Sequence, residues 1–189
     1  MRAITSLPIA ALTAALTLGA AAQSRAPAPP LPDRSIVTAE GPRETASSNK
    51  NTEDVEFLTD AMRTALAEVQ LGELATQRSS QQRVRDYGEK LKSDHAAQAT
   101  EIERMLKPLN VAIPQEPGAE ALGHRAALER LSGQEFDSAF IEMMIASHRE
   151  AIDKFGAQTH ANPNRALAEF ASKSLATLRE HLALAEALR

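Results

Sequence analysis

Three histidines interrupt the apolar sides of predicted helices. His95 lies four residues after Leu91, His148 lies four residues after Met144, and the third, His181, lies within the apolar repeat of the last helix. Residues three and four apart lie on one face of a helix, so each imidazole is expected to face a core. Imidazole nitrogens are common ligands of transition metals, and the three rings are therefore candidate metal ligands.

A carboxylate takes the corresponding place on the first predicted helix. Glu68 lies seven residues after Ala61 and seven before Ala75, on the apolar stripe. Met62 and Met144 lie on the same kind of stripe, where methionine is first of all core filler, although a thioether would also suit copper. Four helices thus offer three imidazoles and one carboxylate to a common interior.

The same residues have a simpler interpretation. A single histidine on an apolar face is more often a core residue satisfied by a hydrogen bond, and a single glutamate can extend its carboxylate to the edge of the core. Burial of several ionisable groups costs free energy unless they are paired with one another or share a metal ion. We predict a transition metal (Cu, Fe, Zn or Mn) held by His95, His148, Glu68 and His181, with mutual hydrogen bonding as the alternative.

The position of each candidate ligand along its predicted helix indicates which of them lie at the same level of the bundle. His95 and His148 each lie about 15 residues into their predicted helices, which places them near one level of a bundle. The same counting places Glu68 about one turn from that level and His181 roughly one to two turns away, so His181 is the weakest member. Two other histidines fall in a connecting helix and in a turn, where we expect solvated side chains: His124 and His160.

The usual di-iron pattern is absent. Ferritin-type centres take a Glu-x-x-His from each of two helices, whereas the residues three before the interior histidines are Lys92, Ile145 and Leu178. Asp94 and Glu180 directly precede two of these histidines but point about 100° away from them, so they are expected behind the ligands at best. A carboxylate-bridged di-iron centre is therefore disfavoured.

Four long amphipathic helices must position these residues. Their predicted ranges are about 52–78, 79–107, 132–159 and 162–188. Ser79 and Ser132 begin capping-box spacings, and Asn162 followed by Pro163 starts the last helix. The connection between the second and third helices is too long for a turn, contains a short helix at about 119–131, and suits a crossover along a bundle. The prediction is an all-α four-helix bundle.

The chain begins like an exported protein. Residues 1–22 carry an early cation, an apolar run and a small-residue triplet ending at Ala22, as in a cleaved secretory signal; an uncleaved anchor is the alternative. Residues 23–51 are rich in Pro, Ala and Ser and are predicted to be a disordered linker, followed by the bundle domain at 52–189. A periplasmic or secreted location follows from this layout.

Composition excludes several classes of function. The chain has no cysteine, which rules out thiolate ligands, disulfides and a lipid anchor on cysteine. Its net charge of -4 is spread without a basic face, and it has one tyrosine and no tryptophan, so nucleic acid is not an expected partner. No nucleophile constellation is visible, and no membrane span is expected in the mature chain.

Several stretches together resemble a bacterial envelope family catalogued as domain of unknown function 4142. They are "AEVQLGELA" (67–75), "KSDHAAQATEI" (92–102), "SGQEFDSAFIEMMIASHREAIDKF" (132–155) and "LREHLALAEAL" (178–188). The resemblance implies a ferritin-like bundle, an exported location and prominence of Glu68, Asp94, His95, His148 and His181. It implies no particular reaction, because a fold does not determine a function.

Three functional hypotheses remain open from the sequence. The first is an exported bundle that binds a transition metal or a small ligand through its interior histidines and Glu68. The second is a structural or stress-related envelope protein that holds no metal and acts through a protein partner. A metal-dependent oxidoreductase ranks last, because the paired Glu-x-x-His signature is missing. The sequence therefore favours a binding protein over an enzyme and leaves its oligomeric state open.

Overall fold

The computed structural model describes residues 43–189, with side chains for 51–159 and 162–189. The predicted signal segment 1–22, most of the predicted linker and the side chain of His160 lie outside the described residues. The helices are α1 (Arg43–Arg78), α2 (Gln82–Leu106), α3 (Ala119–Leu128), α4 (Gly133–Ala161) and α5 (Arg165–Leu188). No strand occurs in residues 43–189, so the all-α prediction is confirmed. None of these helices is sufficiently long and apolar to cross a bilayer.

The start of α1 differs from the prediction. The helix begins at Arg43 rather than near Thr52, and it therefore includes residues assigned to the linker from the sequence. Those residues are polar and carry no apolar stripe, which was the signal used to recognise a helix. Extension of an existing helix adds a hydrogen bond per residue without a new nucleation cost, so it does not require a stripe.

Two of the predicted helix starts are also wrong. The backbone N–H of Ser79 donates to the carbonyl of Ala75 at 3.0 Å, so Ser79 completes α1 instead of capping α2, whose N-cap is Gln81 without a side-chain bond. Asn164, not Asn162, caps α5 through a side chain that accepts a first-turn N–H. The capping spacing in a sequence shows only which side chains could reach a backbone N–H of the first turn. Which of these N–H groups still lacks a partner depends on the path of the tight connection between the helices.

The N-cap of α4 agrees with the prediction only in position. Ser132 is the N-cap residue, but its side chain makes no capping bond. Gly133 follows with φ 57°, a left-handed conformation that favours glycine at this bend.

The long connection is a crossover. Gln81 Nε2 donates to Asp137 Oδ2 at 3.0 Å, which joins the start of α2 to the start of α4. The rings of Phe57 and Phe155 meet at 5.0 Å, which joins the early part of α1 to the late part of α4. Helices α2 and α4 are therefore parallel, while α1 with α2 and α4 with α5 form antiparallel pairs. This up-down-down-up order with one crossover is the ferritin-like connectivity.

The apolar core is in two parts. One part, the Phe140 cluster, includes Leu71, Val84, Leu91, Phe136, Phe140, Met144 and Ala185. The other part, the Phe155 cluster, includes Leu58, Met62, Ile102, Leu106, Phe155, Phe170 and Leu178. On every main helix one buried polar residue lies in the interval between the two clusters, and we call these four the polar layer: Glu68, His95, His148 and His181.

Two glycines bring α1 and α2 close together next to this layer. A Cβ added to Gly72 would lie 2.5 Å from the carbonyl oxygen of Gly88, and one added to Gly88 would lie 2.7 Å from the oxygen of Gly72. Only glycine allows this approach. It lies one turn after Glu68 and two turns before His95, so it helps to hold these side chains within reach of each other.

Candidate metal centre

The polar layer brings all four predicted ligands together. Glu68 is 2 % exposed and His95 3 %, while His148 and His181 are fully buried. The ring centroids are 5.8 Å apart for His95 and His148, 5.2 Å for His95 and His181, and 5.3 Å for His148 and His181. One nitrogen from each ring lies within 4.8 Å of the other two. The three imidazoles thus form a nearly regular triangle.

The predicted height of His181 is wrong. Counting from the α4–α5 turn placed it beyond the level of the other rings, yet it is as close to each of them as they are to each other. Side chains lean toward the N-terminus of their own helix. In an antiparallel pair, His148 therefore leans away from the turn and His181 leans toward it, which removes the difference in level.

Glu68 contacts two of the rings. Its Oε2 lies 3.0 Å from His95 Nε2 and 3.4 Å from His148 Nε2, and its Oε1 accepts a hydrogen bond of 2.6 Å from the hydroxyl of Ser147. Burial by itself would raise the pKa of Glu68, but His95, His148 and the hydrogen bonds outweigh it and lower the pKa to about 2. The carboxylate is therefore ionised at neutral pH. Burial lowers the pKa of His95, yet Glu68 makes the net shift upward.

The outer hydrogen bonds define the tautomers of two rings. His148 Nδ1 donates to the carbonyl oxygen of Met144 at 2.8 Å, and His181 Nε2 donates to Asp94 Oδ2 at 2.8 Å. The inner atoms, His148 Nε2 and His181 Nδ1, then carry lone pairs and lie 3.2 Å apart. Burial, reinforced by the other two rings, lowers the pKa of His181 despite Asp94, which favours the neutral ring. Two facing lone pairs repel each other unless a proton or a cation lies between them.

His95 has the same arrangement. Its Nδ1 lies 2.9 Å from Gln98 Oε1, and in the neutral tautomer that donates this proton outward, Nε2 carries the lone pair. Although Nε2 lies 3.0 Å from Glu68 Oε2, neither of these two buried atoms makes a well-aligned hydrogen bond. Three imidazole nitrogens and one carboxylate oxygen therefore converge with their lone pairs inward.

One of the two residues expected behind the ligands does contact a ring. The carboxylate of Asp94 reaches across to His181 on α5 and not to its sequence neighbour His95. Lys90 Nζ lies 3.2 Å from Asp94 Oδ2 and 3.1 Å from Glu180 Oε1. Glu180 is therefore connected to the rings only through Lys90 and Asp94. Burial raises the pKa of Asp94, but the bonds with His181 and Lys90 lower it overall.

Two hydrogen-bond partners of the polar layer, Gln98 and Ser147, were not predicted from the sequence. Gln98 lies three residues after His95, a spacing that could have suggested the bond. Ser147 bonds Glu68 on another helix, and no local pattern indicates such a partner.

The side chains of Met62, Met144 and His124 do not belong to the polar layer. Met62 packs in the Phe155 cluster and Met144 in the Phe140 cluster, where the Met144 carbonyl serves His148. His124 is exposed, as predicted, at the rim of a cleft.

That cleft leads from the surface to the polar layer. It has a volume of about 650 Å³ and lies between α1, α3 and α4. Glu68 and His95 are among its lining residues, so the cleft borders one side of the layer.

Fold and site together define a helical bundle with a buried set of converging imidazole and carboxylate ligands. The family model described as "Domain of unknown function (DUF4142)" matches residues 39–188, and the chain belongs to this family. The resemblance recognised from the sequence is thereby confirmed. Comparisons with curated proteins and with solved structures give no significant match.

Proposed function

We propose that this protein is an exported binding protein that holds one transition metal ion between His95, His148, His181 and Glu68. The observation that carries the proposal is the convergence of one nitrogen from each ring and one oxygen of Glu68, with the outer nitrogen of each ring within hydrogen-bond distance of an oxygen. Such outer bonds orient metal-binding histidines and set their tautomers. A cation at the centre would replace repulsion between the lone pairs by coordination.

The donor set favours particular metals. Imidazole suits Zn, Cu and Fe, whereas Mn prefers oxygen donors and ranks behind them. Three nitrogens with one oxygen can provide the four positions of a tetrahedral site. The ion itself would supply Lewis acidity, and the polar layer would supply its position.

A second candidate function needs no metal. The ionised Glu68 and the raised pKa of His95 support an internal ion pair, beside the 3.2 Å contact between His148 Nε2 and His181 Nδ1. In that case the layer would define the packing of the bundle, and the outer surface would bind an envelope partner.

Export is part of the proposal. It is supported by the signal-like pattern of residues 1–22, which the structure does not describe. N-terminal sequencing of the protein recovered from a bacterial periplasm tests it, with mature protein starting near Gln23 as the expected result.

Metal analysis of the purified full chain tests the main proposal. After removal of bound ions with a chelator, Zn²⁺, Cu²⁺, Fe²⁺ and Mn²⁺ are added in separate thermal melts. An ion present at 100 times its Kd should stabilise the fold by about 2.7 kcal/mol and raise Tm by roughly 5–10 °C.

The matched variants are the double variant His95→Ala/His148→Ala and the single variant His124→Ala. The first should lose the shift in Tm, while the second, on an exposed ring, should retain it. If no ion co-purifies and none raises Tm, the metal proposal is wrong and the ion-pair alternative takes its place. Capture of a specific envelope protein by the metal-free chain would support that alternative.

A further inference from the structure

We propose that the cleft beside Glu68 and His95 binds a neutral small molecule with an apolar, aromatic body and a single nitrogen or oxygen donor, and that this donor binds the metal ion. The inference rests on the proposed function and adds the class of ligand and the direction of its approach.

The cleft has the size and lining of a small-molecule site. Its volume of about 650 Å³ falls within the usual range of roughly 300–1,000 Å³ for such sites. Most of the exposed lining is apolar, and it includes the following side chains: Phe57, Ala61, Leu71, Met143, Ala151 and Phe155. An aromatic body is therefore suited to the walls, because its burial removes apolar surface from water.

The polar atoms at the inner end point to where a donor would bind. Glu68 and His95 line the cleft, and Glu68 Oε2 and His95 Nε2 are the two buried atoms of the layer without an aligned hydrogen bond. His148 and His181 are not among the lining residues of the cleft, and their outer nitrogens are bonded to Met144 and Asp94. An added ligand would therefore reach the ion from the Glu68 side, as a fifth ligand, and zinc sites are known to expand to five ligands.

Charge in the cleft favours a neutral ligand. The described lining residues include one Arg and one Lys, and both form ion pairs. Arg63 lies 2.9 Å from Asp60, and Lys154 lies 2.6 Å from Glu150. Glu120 adds a further carboxylate to the lining. An anionic ligand would thus meet carboxylates and no unpaired Lys or Arg in this part of the chain.

The test uses the full chain loaded with Co²⁺, whose visible absorption changes when a ligand is added. Imidazole and 4-phenylimidazole present the same donor, but only the second carries an aromatic body. We expect 4-phenylimidazole to bind about tenfold tighter or more, because the phenyl ring is buried in the cleft. A carboxylate on the far end of that ring should weaken binding relative to 4-phenylimidazole.

Thr64→Phe and Thr100→Phe are the matched variants. Both threonines are exposed on a helix, but Thr64 lines the cleft one turn from Glu68, whereas Thr100 lies on α2 outside it. Thr64→Phe should remove the preference for 4-phenylimidazole while Co²⁺ and imidazole binding stay unchanged. Thr100→Phe should behave like the wild type.

The outcomes separate the two proposals. If Co²⁺ binds but 4-phenylimidazole shows no advantage over imidazole, or if the advantage survives Thr64→Phe, the cleft proposal is overturned and the metal proposal stands. If neither Co²⁺ nor any other tested ion binds, the proposed function fails, and the cleft proposal fails with it.

Discussion

The two sides of the polar layer are built differently. On the side of His148 and His181, the outer nitrogen of each ring has a hydrogen-bond acceptor, and Lys90 supports Asp94 from behind. On the side of Glu68 and His95, two buried atoms lack an aligned hydrogen bond and a cleft approaches from solvent. We call the first the preorganised side and the second, which borders the cleft although its polar atoms are buried, the accessible side.

This difference supports the proposed binding role of the layer. The two apolar clusters above and below it already form a bundle core. Buried ionic groups are weak contributors to stability, and well-packed apolar residues in their place are often neutral or stabilising. Strongly shifted pKa values beside a cleft are typical of functional sites. Four variants test the contrast between the two sides.

The largest effect is expected for His148→Leu on the preorganised side. It removes a central donor, and we expect zinc affinity to fall by more than about a hundredfold, since even loss of a residue behind a ligand costs 10–100-fold. The metal-free protein should keep or exceed wild-type stability, because the facing lone pair is removed and leucine fills the space. Chelator competition and urea unfolding measure the two quantities. Unchanged zinc affinity would exclude His148 as a ligand.

Glu68→Gln tests the accessible side through pH. The lowered pKa of Glu68 means that its carboxylate stabilises the fold above its unfolded value of 4.5 and that this contribution is lost as pH falls toward about 2. Metal-free wild type should therefore exceed the variant by about 3 kcal/mol near pH 6, and the difference should disappear toward pH 2.

Urea unfolding from pH 2 to 7 measures this difference. The raised pKa of His95 adds stability below 6.5 that is lost as pH rises through its folded value, so the advantage should be greatest in weak acid. Glu73→Gln, on an exposed residue of the same helix, is the control. A pH-independent difference would contradict the ion pair.

Gly88→Ala tests whether the close approach of α1 and α2 holds the accessible side together. The added Cβ would lie 2.7 Å from the backbone oxygen of Gly72, so the helices must separate, at a cost of about 1–3 kcal/mol. Thermal unfolding measures the loss, and zinc affinity should fall as Glu68 moves away from His95. Gly123→Ala, where nothing lies within 4 Å of the new Cβ, is the control. Equal stability of the two variants would refute the close-approach argument.

Asp94→Ala is expected to have the smallest effect. It removes the acceptor that orients His181 but no ligand, so zinc affinity should fall by about tenfold. Glu180→Ala also removes a partner of Lys90 but does not touch the ring, and it should leave affinity within about twofold if Asp94 acts through His181. An equal loss in both variants would show that the effect is one of surface charge.

The sequence alone predicted the helices and the inward direction of the four polar side chains. Both follow from a local repeat, since spacing of three and four residues determines which face of a helix a residue occupies. The predicted cap of α5 was wrong because it depends on which backbone groups the tight connection leaves unpaired. The predicted start of α1 was wrong because its first residues extend the helix without an apolar stripe.

Only the tertiary structure decided how the four side chains meet. Helices α2 and α4 are parallel because the crossover returns the chain to the end of the bundle where α2 begins. His181 lies level with His148 because side chains in an antiparallel helix pair tilt in opposite directions along the bundle. The bonds from Asp94 to His181 and from Ser147 to Glu68 join helices that are far apart in sequence. Periodicity therefore determined which residues face the interior, whereas the packing of the helices determined which of them are neighbours and which side is open.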